Sequence, residues 1–146
     1  MNDKYFADTN LLVYAFDNRE PEKQKIAQGL LNTFGSAGNL TLITQVLQEF
    51  FVAVTRKLTP PLSAKTAYEL VENFTYYPLV QIEPPLILSA IQRHRELLVS
   101  FWDALIIEAA LLSNCTIVLS EDMQDGQRID NKLTIRNPFV SRHSSV

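Results

Sequence analysis

The sequence predicts an α/β fold with a central, mostly parallel sheet. Strand-like and helix-like segments alternate along the 146 residues, which is typical of parallel sheets covered by helices on both sides. The apolar, partly β-branched run at 116–119 has the composition of a buried parallel strand. The helical segment 101–113 is apolar nearly all round, which indicates a buried helix.

The length predicts one domain. A chain of this size buries about two-thirds of the surface that its unfolded form exposes, and 47% apolar with 20% charged residues is ordinary for a globular protein. We expect a single domain over residues 1–140 and a flexible tail at 141–146.

Periodicity and punctuation residues place the elements. Gly35 and Gly38 end one helical stretch, Pro60 and Pro61 another, and Pro84 sets φ for the first turn of a third. The predicted strands are 5–7, 40–43, 80–82, 116–119 and 133–135, and the predicted helices are 11–17, 21–34, 45–57, 63–74, 85–98 and 101–113. The segment 123–131 carries no feature that predicts an element.

Compartment is predicted from what the sequence lacks. The first four residues are polar and do not begin a secretory signal, and the apolar stretch 102–112 is too short to span a bilayer. Cys115 is the only cysteine, so no internal disulfide is possible and we expect a small buried hydrophobe there. These features predict a cytoplasmic protein.

The formal net charge of −3 is low for a protein that binds nucleic acid, since such proteins usually carry a basic surplus. Bound divalent cations would offset it. Basic residues gather at 93–95 and again between 128 and 142, and solvated faces explain each cluster taken alone.

Two aspartates follow predicted strands, at the edge where ligands of parallel sheets bind. Asp8 closes the first strand, although it is also a good N-cap for the next helix. Asp122 follows the strand 116–119, with Glu121 and Asp125 close by. The residues alone leave the choice among these three acids open, and a simple turn or cap cluster explains them equally well.

Two further acids lie on helices. Glu49 falls at the edge of an apolar arc, between Val46 and Ala53, so it faces either a cleft or a solvated ion-pair partner. Asp103 follows Ser100 by three positions, as in a capping box. It also stands at the entrance of the apolar helix, where a carboxylate is partly desolvated and benefits from a metal ion.

Together the four acids predict a metal centre. Four ionised carboxylates in one pocket require a cation, because like charges raise each other's pKa. Oxygen ligands favour Mg²⁺ or Mn²⁺, and no Cys/His set for zinc exists. Such centres suit phosphoryl transfer.

With these acids in place, the chain resembles a PIN domain, specifically the bacterial toxin nuclease of the VapC type. The motifs that carry the resemblance, in order and spacing, are Phe6-Ala-Asp-Thr-Asn-Leu-Leu-Val-Tyr14, Gln45-Val-Leu-Gln-Glu-Phe50, Phe101-Trp-Asp-Ala-Leu-Ile106 and Leu119-Ser-Glu-Asp122. The similarity covers nearly the whole chain.

The resemblance implies a three-layer α/β/α sandwich and an endoribonuclease that cleaves RNA with metal-activated water. It implies that Mg²⁺ or Mn²⁺ is held by four residues and supported by three others. The ligands would be Asp8, Glu49, Asp103 and Asp122, and the supporting groups Thr9, Asn10 and Ser120. It also implies a homodimer and a small cognate antitoxin that wraps the toxin and blocks its site.

Other functions compete with this hypothesis. A phosphatase with Asp8 as nucleophile would carry a second Asp two positions later, where this chain has Asn10. A receiver-like domain would need a well-placed Lys late in the sheet, and no suitable one follows strand 116–119. A PIN fold kept only for binding should have lost acids, and all four are present. The residues reveal neither the RNA target nor whether one or two metal ions bind.

Overall fold

A computed structural model describes residues 3–140. The strands are β1 (Tyr5–Ala7), β2 (Leu40–Ile43), β3 (Leu79–Val80), β4 (Ile117–Leu119), β5 (Arg128–Ile129) and β6 (Leu133–Arg136). The helices are α1 (Thr9–Tyr14), α2 (Pro21–Leu30), α3 (Thr44–Arg56), α4 (Ala64–Phe74), α5 (Pro84–Leu97) and α6 (Phe101–Leu112). A π-helical turn, Leu31–Gly35, continues α2.

The six strands form one sheet in the order β3-β2-β1-β4-β6-β5. All neighbouring pairs are parallel except β5 with β6, which is antiparallel. Helices flank the sheet in three α/β/α layers, so the predicted fold class is confirmed. β1 and β4 are central neighbours, with Ala7 opposite Leu119. The carboxyl ends of these two strands therefore meet at the middle of one edge.

The core lies on both faces of the central strands. Every residue of β2 and β4 is buried, as parallel strands covered on both sides require. The large side chains that are essentially inaccessible to solvent include Phe6, Phe50, Leu105 and Ile107. Phe50 on α3 and the apolar face of α6 thus fill the space between the sheet and its helical layers.

Most predicted elements are confirmed to within a few residues, and the differences have local causes. α1 begins at Thr9 because the Asp8 side chain caps it, and it ends at Tyr14 rather than at residue 17. β3 covers Leu79–Val80 instead of 80–82. β5 was not predicted, since a two-residue edge strand is too short to show an alternating pattern.

The predicted buried helix α6 is confirmed with two exceptions. Ser100 caps it by accepting a hydrogen bond from the backbone N–H of Asp103. Trp102 and Leu112, at its two ends, are 59% and 66% exposed, so the helix is not covered all round. Cys115, just after it, is buried as predicted.

None of the helices in residues 3–140 is long and apolar enough to cross a membrane. The predicted flexible tail, residues 141–146, lies outside the described residues.

Candidate active site

The ends of β1 and β4 bring Asp8 and Asp122 to the same edge of the sheet. The backbone N–H of Asp8 donates to the carbonyl oxygen of Leu119, over 3.0 Å, and so extends the pairing of the two strands by one residue. The chain then leaves β1 into α1 and β4 into the loop that carries Asp122. Parallel pairing therefore places both acids where the sequence predicted a ligand site.

Asp8 caps α1 and faces the loop after β4 with its other oxygen. Its Oδ1 accepts from the Thr9 backbone N–H (2.8 Å), and its Oδ2 accepts from the Ser120 hydroxyl (2.9 Å). The capping interpretation is confirmed: one carboxylate oxygen caps the helix, and the other accepts from Ser120 on the side of the loop after β4. Burial raises the pKa of Asp8, these two hydrogen bonds oppose the rise, and the charges of Asp122 and Asp103 add to it.

Ser120 holds the two strand ends together. Its side chain is buried, and its Oγ accepts from the backbone N–H groups of Asp122 (3.2 Å) and Met123 (3.3 Å) while it donates to Asp8. The hydroxyl thus folds the loop after β4 back over the end of β1.

The contacts of Asn10 distinguish Asp122 from Asp125 in that loop. Its side-chain amide donates to Oδ2 of Asp122 over 2.8 Å. Asp125 instead accepts from the backbone N–H of Asn137, beyond β6. The structure accordingly brings Asp122, and not Asp125, to the first turn of α1.

Glu49 reaches the same place from α3. Its Oε1 accepts from the Thr9 hydroxyl (2.5 Å), and its Oε2 accepts from the amide of Gln45 (2.9 Å), one turn earlier on α3. Gln45 is buried, whereas Glu49 is exposed. Glu49 forms no ion pair among residues 3–140, so of its two predicted positions the cleft-facing one agrees with these contacts.

Asp103 is the fourth predicted acid, in the first turn of α6. Burial is the main cause of its raised pKa, and the negative charge of Asp122 raises it further. The negative charges of Asp103 and Asp122 also raise the pKa of Asp8. The three aspartates, from three separate parts of the chain, are therefore close enough to influence one another's ionisation.

A cleft of about 580 Å³ opens beside these acids. Its charged lining consists of Asp8, Asp17, Glu49, Asp122, Arg19 and Lys57. Its apolar lining includes Val13 of α1, Val52 and Ala53 in the second half of α3, and Leu58 just after that helix. Asp103 does not line this cleft and acts on it through its charge.

Three of the charged lining residues, Asp17, Arg19 and Lys57, were not predicted. Asp17 is only 7% exposed and accepts from the backbone N–H and the guanidinium of Arg19. The Arg19 hydrogen bonds lower the pKa of Asp17. An Asp-x-Arg pair is too common in sequences to signal a site, and only the fold brings it to the cleft.

A second cluster that the sequence did not predict braces the loop after β4. Lys23 of α2 pairs with Glu121, and the Tyr14 hydroxyl donates to the other oxygen of Glu121 over 2.7 Å. The rings of Tyr14 and Phe139 pack edge to face, with the Lys23 ammonium 4.8 Å and 5.8 Å from their centroids. These contacts fix the residue directly before Asp122.

The donor chemistry fits a hard divalent cation, but the side chains do not form a closed cage. Among residues 3–140, no three His, Cys, Asp or Glu side chains lie close enough together to hold a metal ion as they stand. The carboxylates are instead held by Ser120, Asn10, Thr9 and Gln45. Burial is the main cause of the raised pKa values of Asp8 and Asp103, and neighbouring carboxylate charges add to it. All-oxygen donors are those that Mg²⁺ and Mn²⁺ prefer.

Comparison with known protein families identifies the family of the chain. The sequence model of the PIN domain matches residues 5–130. The chain belongs to the PIN domain family. No curated protein matches the chain significantly.

Solved structures of VapC toxins share the fold of this PIN domain. The toxin VapC20 of Mycobacterium tuberculosis, which cleaves the sarcin-ricin loop, is 18% identical with a TM-score of 0.59 over 82% of this chain and 92% of its own. The DNA-bound VapBC complex of Salmonella typhimurium gives 17% identity and a TM-score of 0.63, with coverage of 94% and 99%. VapBC2 of Rickettsia felis, bound to a promoter DNA fragment, gives 19% identity and a TM-score of 0.63 over 91% of this chain and 97% of its own. At these identities the likeness shows the fold.

Proposed function

We propose that this PIN domain is a metal-dependent endoribonuclease and the toxin of a toxin–antitoxin pair. One observation carries the proposal: hydrogen bonds from Ser120, Asn10 and Thr9 hold the carboxylates of Asp8, Asp122 and Glu49 beside one cleft at the carboxyl ends of β1 and β4. The charges of Asp103 and Asp122 also act on Asp8. A chain does not gather mutually repelling carboxylates for stability, since each raises the cost of ionising the next.

Asp8, Glu49, Asp103 and Asp122 are the residues that would hold Mg²⁺ or Mn²⁺. When bound, such an ion supplies an activated water molecule and offsets charge on the phosphate. Thr9, Asn10 and Ser120 act through the acids: each gives a hydrogen bond to one carboxylate and sets its orientation. Neutral donors in this role orient ligands without competing for the cation.

The contacts of Asn10 argue against the phosphatase alternative. Its side chain occupies the place where a phosphatase would carry a proton-transferring carboxyl, and its amide donates to Asp122. An amide held in this way orients a ligand and moves no proton. A trapped aspartyl-phosphate on Asp8 would restore that alternative.

Cleavage of labelled RNA by the purified protein tests the nuclease proposal. The parent protein and an Asp8→Asn variant are assayed with Mg²⁺, with Mn²⁺ and with EDTA. We expect cleavage that needs the metal and is lost in the variant. No cleavage of any RNA by folded protein free of antitoxin would favour a PIN fold that only binds a partner.

An apolar groove beside the cleft supports the antitoxin partner. The groove, of about 400 Å³ between α3 and α4, is lined by Leu47, Gln48, Phe51, Val52, Tyr68 and Val71. Gln48 and Val52 line both the groove and the acidic cleft. A protein segment seated on this groove would therefore also obstruct the cleft.

The toxin proposal predicts that expression of the protein alone slows growth and that coexpression of the antitoxin restores it. Harmless expression of an active nuclease would contradict the toxin role. Val52→Glu should weaken antitoxin capture, because Val52 is 50% exposed at the junction of groove and cleft.

We also propose a homodimer in the cytoplasm, following the VapC likeness. The apolar residues at 12–16 and those at 63–76 are two candidate surfaces for it. The first is wrong, because Leu12 is fully buried and Tyr14 and Phe16 pack against the core. The second remains available, since Tyr68 and Tyr76 are 66% and 83% exposed. The mass of the purified protein in solution tests the dimer.

A further inference from the structure

The acidic cleft has two cationic residues among those that line it, Arg19 and Lys57. They face four carboxylates on the same walls, so the cleft in its bare form repels a polyanion. A nucleic-acid strand enters such a cleft only where cations meet its phosphates. The position of these two residues therefore bears on how a substrate is held.

Arg19 is held in place by a buried partner. Its Nε donates to Oδ1 of Asp17 over 3.1 Å and its Nη2 to Oδ2 over 3.3 Å, so one edge of the guanidinium is fixed. Arginine has five N–H donors, and this pairing leaves the Nη1 edge without a partner among the described residues. Half of the Arg19 side chain is exposed. A fixed guanidinium with a free donor edge binds a phosphate with little further loss of side-chain freedom.

Lys57 stands at the C-terminal end of α3. It is exposed, and within residues 3–140 its ammonium makes neither an ion pair nor a hydrogen bond. Eight residues separate it from Glu49 on the same helix, which corresponds to about 12 Å along the axis. Lys57 is thus a free cation on the cleft wall, some two turns from the acids.

The surface near these cations is apolar. Val52, Ala53 and Leu58 line the cleft close to Lys57 in sequence, and Val13 lines it from α1. Apolar walls accept the faces of unstacked bases and riboses, whereas a base-paired duplex presents phosphates and groove edges. The cleft combines phosphate-binding groups with such walls.

We propose that Arg19 and Lys57 bind phosphates of a single-stranded RNA segment that runs through the cleft. Arg19 holds the strand at the α1–α2 connection, and Lys57 holds it at the end of α3. The inference rests on the proposed nuclease function, because it takes RNA as the ligand. It adds the two residues that bind phosphates of the strand, Arg19 and Lys57.

Binding, measured without cleavage, tests this proposal. A fluorescently labelled single-stranded RNA of mixed sequence is titrated with the Asp8→Asn protein in Mg²⁺ buffer at several salt concentrations. Arg19→Gln and Lys57→Gln are each added to that protein, with Lys65→Gln as the matched control. Lys65 is an exposed lysine of α4 that does not line the cleft.

We expect Arg19→Gln and Lys57→Gln each to weaken binding and to lower the slope of log K against log salt by about 0.7, the value for one phosphate contact on a single strand. Lys65→Gln should leave both unchanged, and a duplex of the same sequence should bind more weakly. Since Arg19→Gln exposes Asp17 without its partner, Arg19→Lys serves as a second variant that keeps the charge and loses the fork. Its affinity should fall between those of parent and Arg19→Gln.

Equal slopes for Lys57→Gln and Lys65→Gln, or no measurable RNA binding at low salt, would overturn the proposal. Failure of the nuclease function gives a different result. If the parent protein cleaves no RNA but its variants lose affinity and slope, the phosphate contacts are supported and the nuclease function is rejected. If the parent cleaves RNA but its variants bind like the control, the nuclease function is supported and the phosphate contacts are rejected.

Discussion

The amide of Asn10 donates a 2.8 Å hydrogen bond to Oδ2 of Asp122 and so joins the first turn of α1 to the loop after β4. The two residues are 112 positions apart in the chain. Because α1 starts from β1 and the loop leaves β4, this bond fixes Asp122 relative to Asp8 at the end of β1.

Asn10→Ala should weaken metal binding by roughly 10–100-fold, the range found when a partner that orients a metal ligand is removed. Asp122 would lose its donor and the orientation that it provides. Calorimetric titration with Mn²⁺ measures the change. Asn73→Ala, at an exposed position on α4, is the control and should bind the ion like the parent, and equal affinity of both variants would contradict the role given to Asn10.

Asp8→Asn should stabilise the metal-free protein at neutral pH. The folded-state pKa of Asp8 is raised above its ordinary value of 3.8, so the folded protein loses stability as pH rises from about 4 through that raised pKa. Asparagine can accept the Thr9 N–H bond and carries no charge. Thermal unfolding in EDTA should give a higher Tm for the variant at pH 7, with a difference that shrinks toward pH 4.

Adding Mn²⁺ should reverse that order. The ion binds the folded state and not the unfolded state, so it raises the Tm of the parent by mass action. The variant lacks one ligand charge, and its Tm should rise less. A parent whose Tm ignores the ion at concentrations that support cleavage would count against Asp8 as a ligand.

Glu121→Gln should destabilise the protein by up to about 1 kcal/mol at pH 7, as expected for a partly exposed ion pair. Although burial acts to raise the pKa of Glu121, the hydrogen bonds from Lys23 and Tyr14 outweigh it and lower the pKa below 4.5. The stability that this pair contributes is present above pH 4.5 and is lost as pH falls through the folded-state pKa. The Tm difference between parent and variant should therefore vanish in acid. Glu69→Gln, on exposed α4 surface, is the control for the substitution itself at pH 7.

Ser120→Ala should cost about 1–3 kcal/mol of stability. The buried hydroxyl donates to Asp8 and accepts from two backbone N–H groups, and burying such groups without partners costs that much. Denaturant unfolding measures the loss, with Ser36→Ala at an exposed position as the control. A loss no larger than that of the control would show that water replaces the hydroxyl.

Much of the fold could be predicted because its signals are local. Proline and glycine punctuate the helices, Ser63 and Ser100 cap α4 and α6, and apolar runs mark the buried strands. β5 escaped prediction because two residues on a sheet edge carry no periodicity. The exposure of Trp102 also escaped, since an apolar residue on a wheel does not reveal what packs against it.

In the candidate site, too, residues with local sequence signals could be predicted and the others could not. Asp8 and Asp122 follow strands, so the rule for parallel sheets placed them at one edge. The residues alone left Asp122 and Asp125 open, and the family resemblance favoured Asp122. The contact with Asn10, which links distant parts of the chain, agrees with that choice. Arg19 and Lys57 carried no local signal at all, because only the packing of α1 beside α3 brings them to one cleft.

The role of Asp122 in a metal-dependent nuclease is tested most directly by the rate of RNA cleavage as a function of Mn²⁺ concentration. This rate is compared for the parent, Asp122→Asn and Asp125→Asn. Both substitutions remove one charge from the same loop. We expect a metal-dependent rate in the parent and in Asp125→Asn. In Asp122→Asn we expect a rate lower by at least about 100-fold, which corresponds to a loss of about 2.7 kcal/mol of transition-state stabilisation. Equal rates for Asp122→Asn and the parent, or cleavage that persists in EDTA, would contradict it.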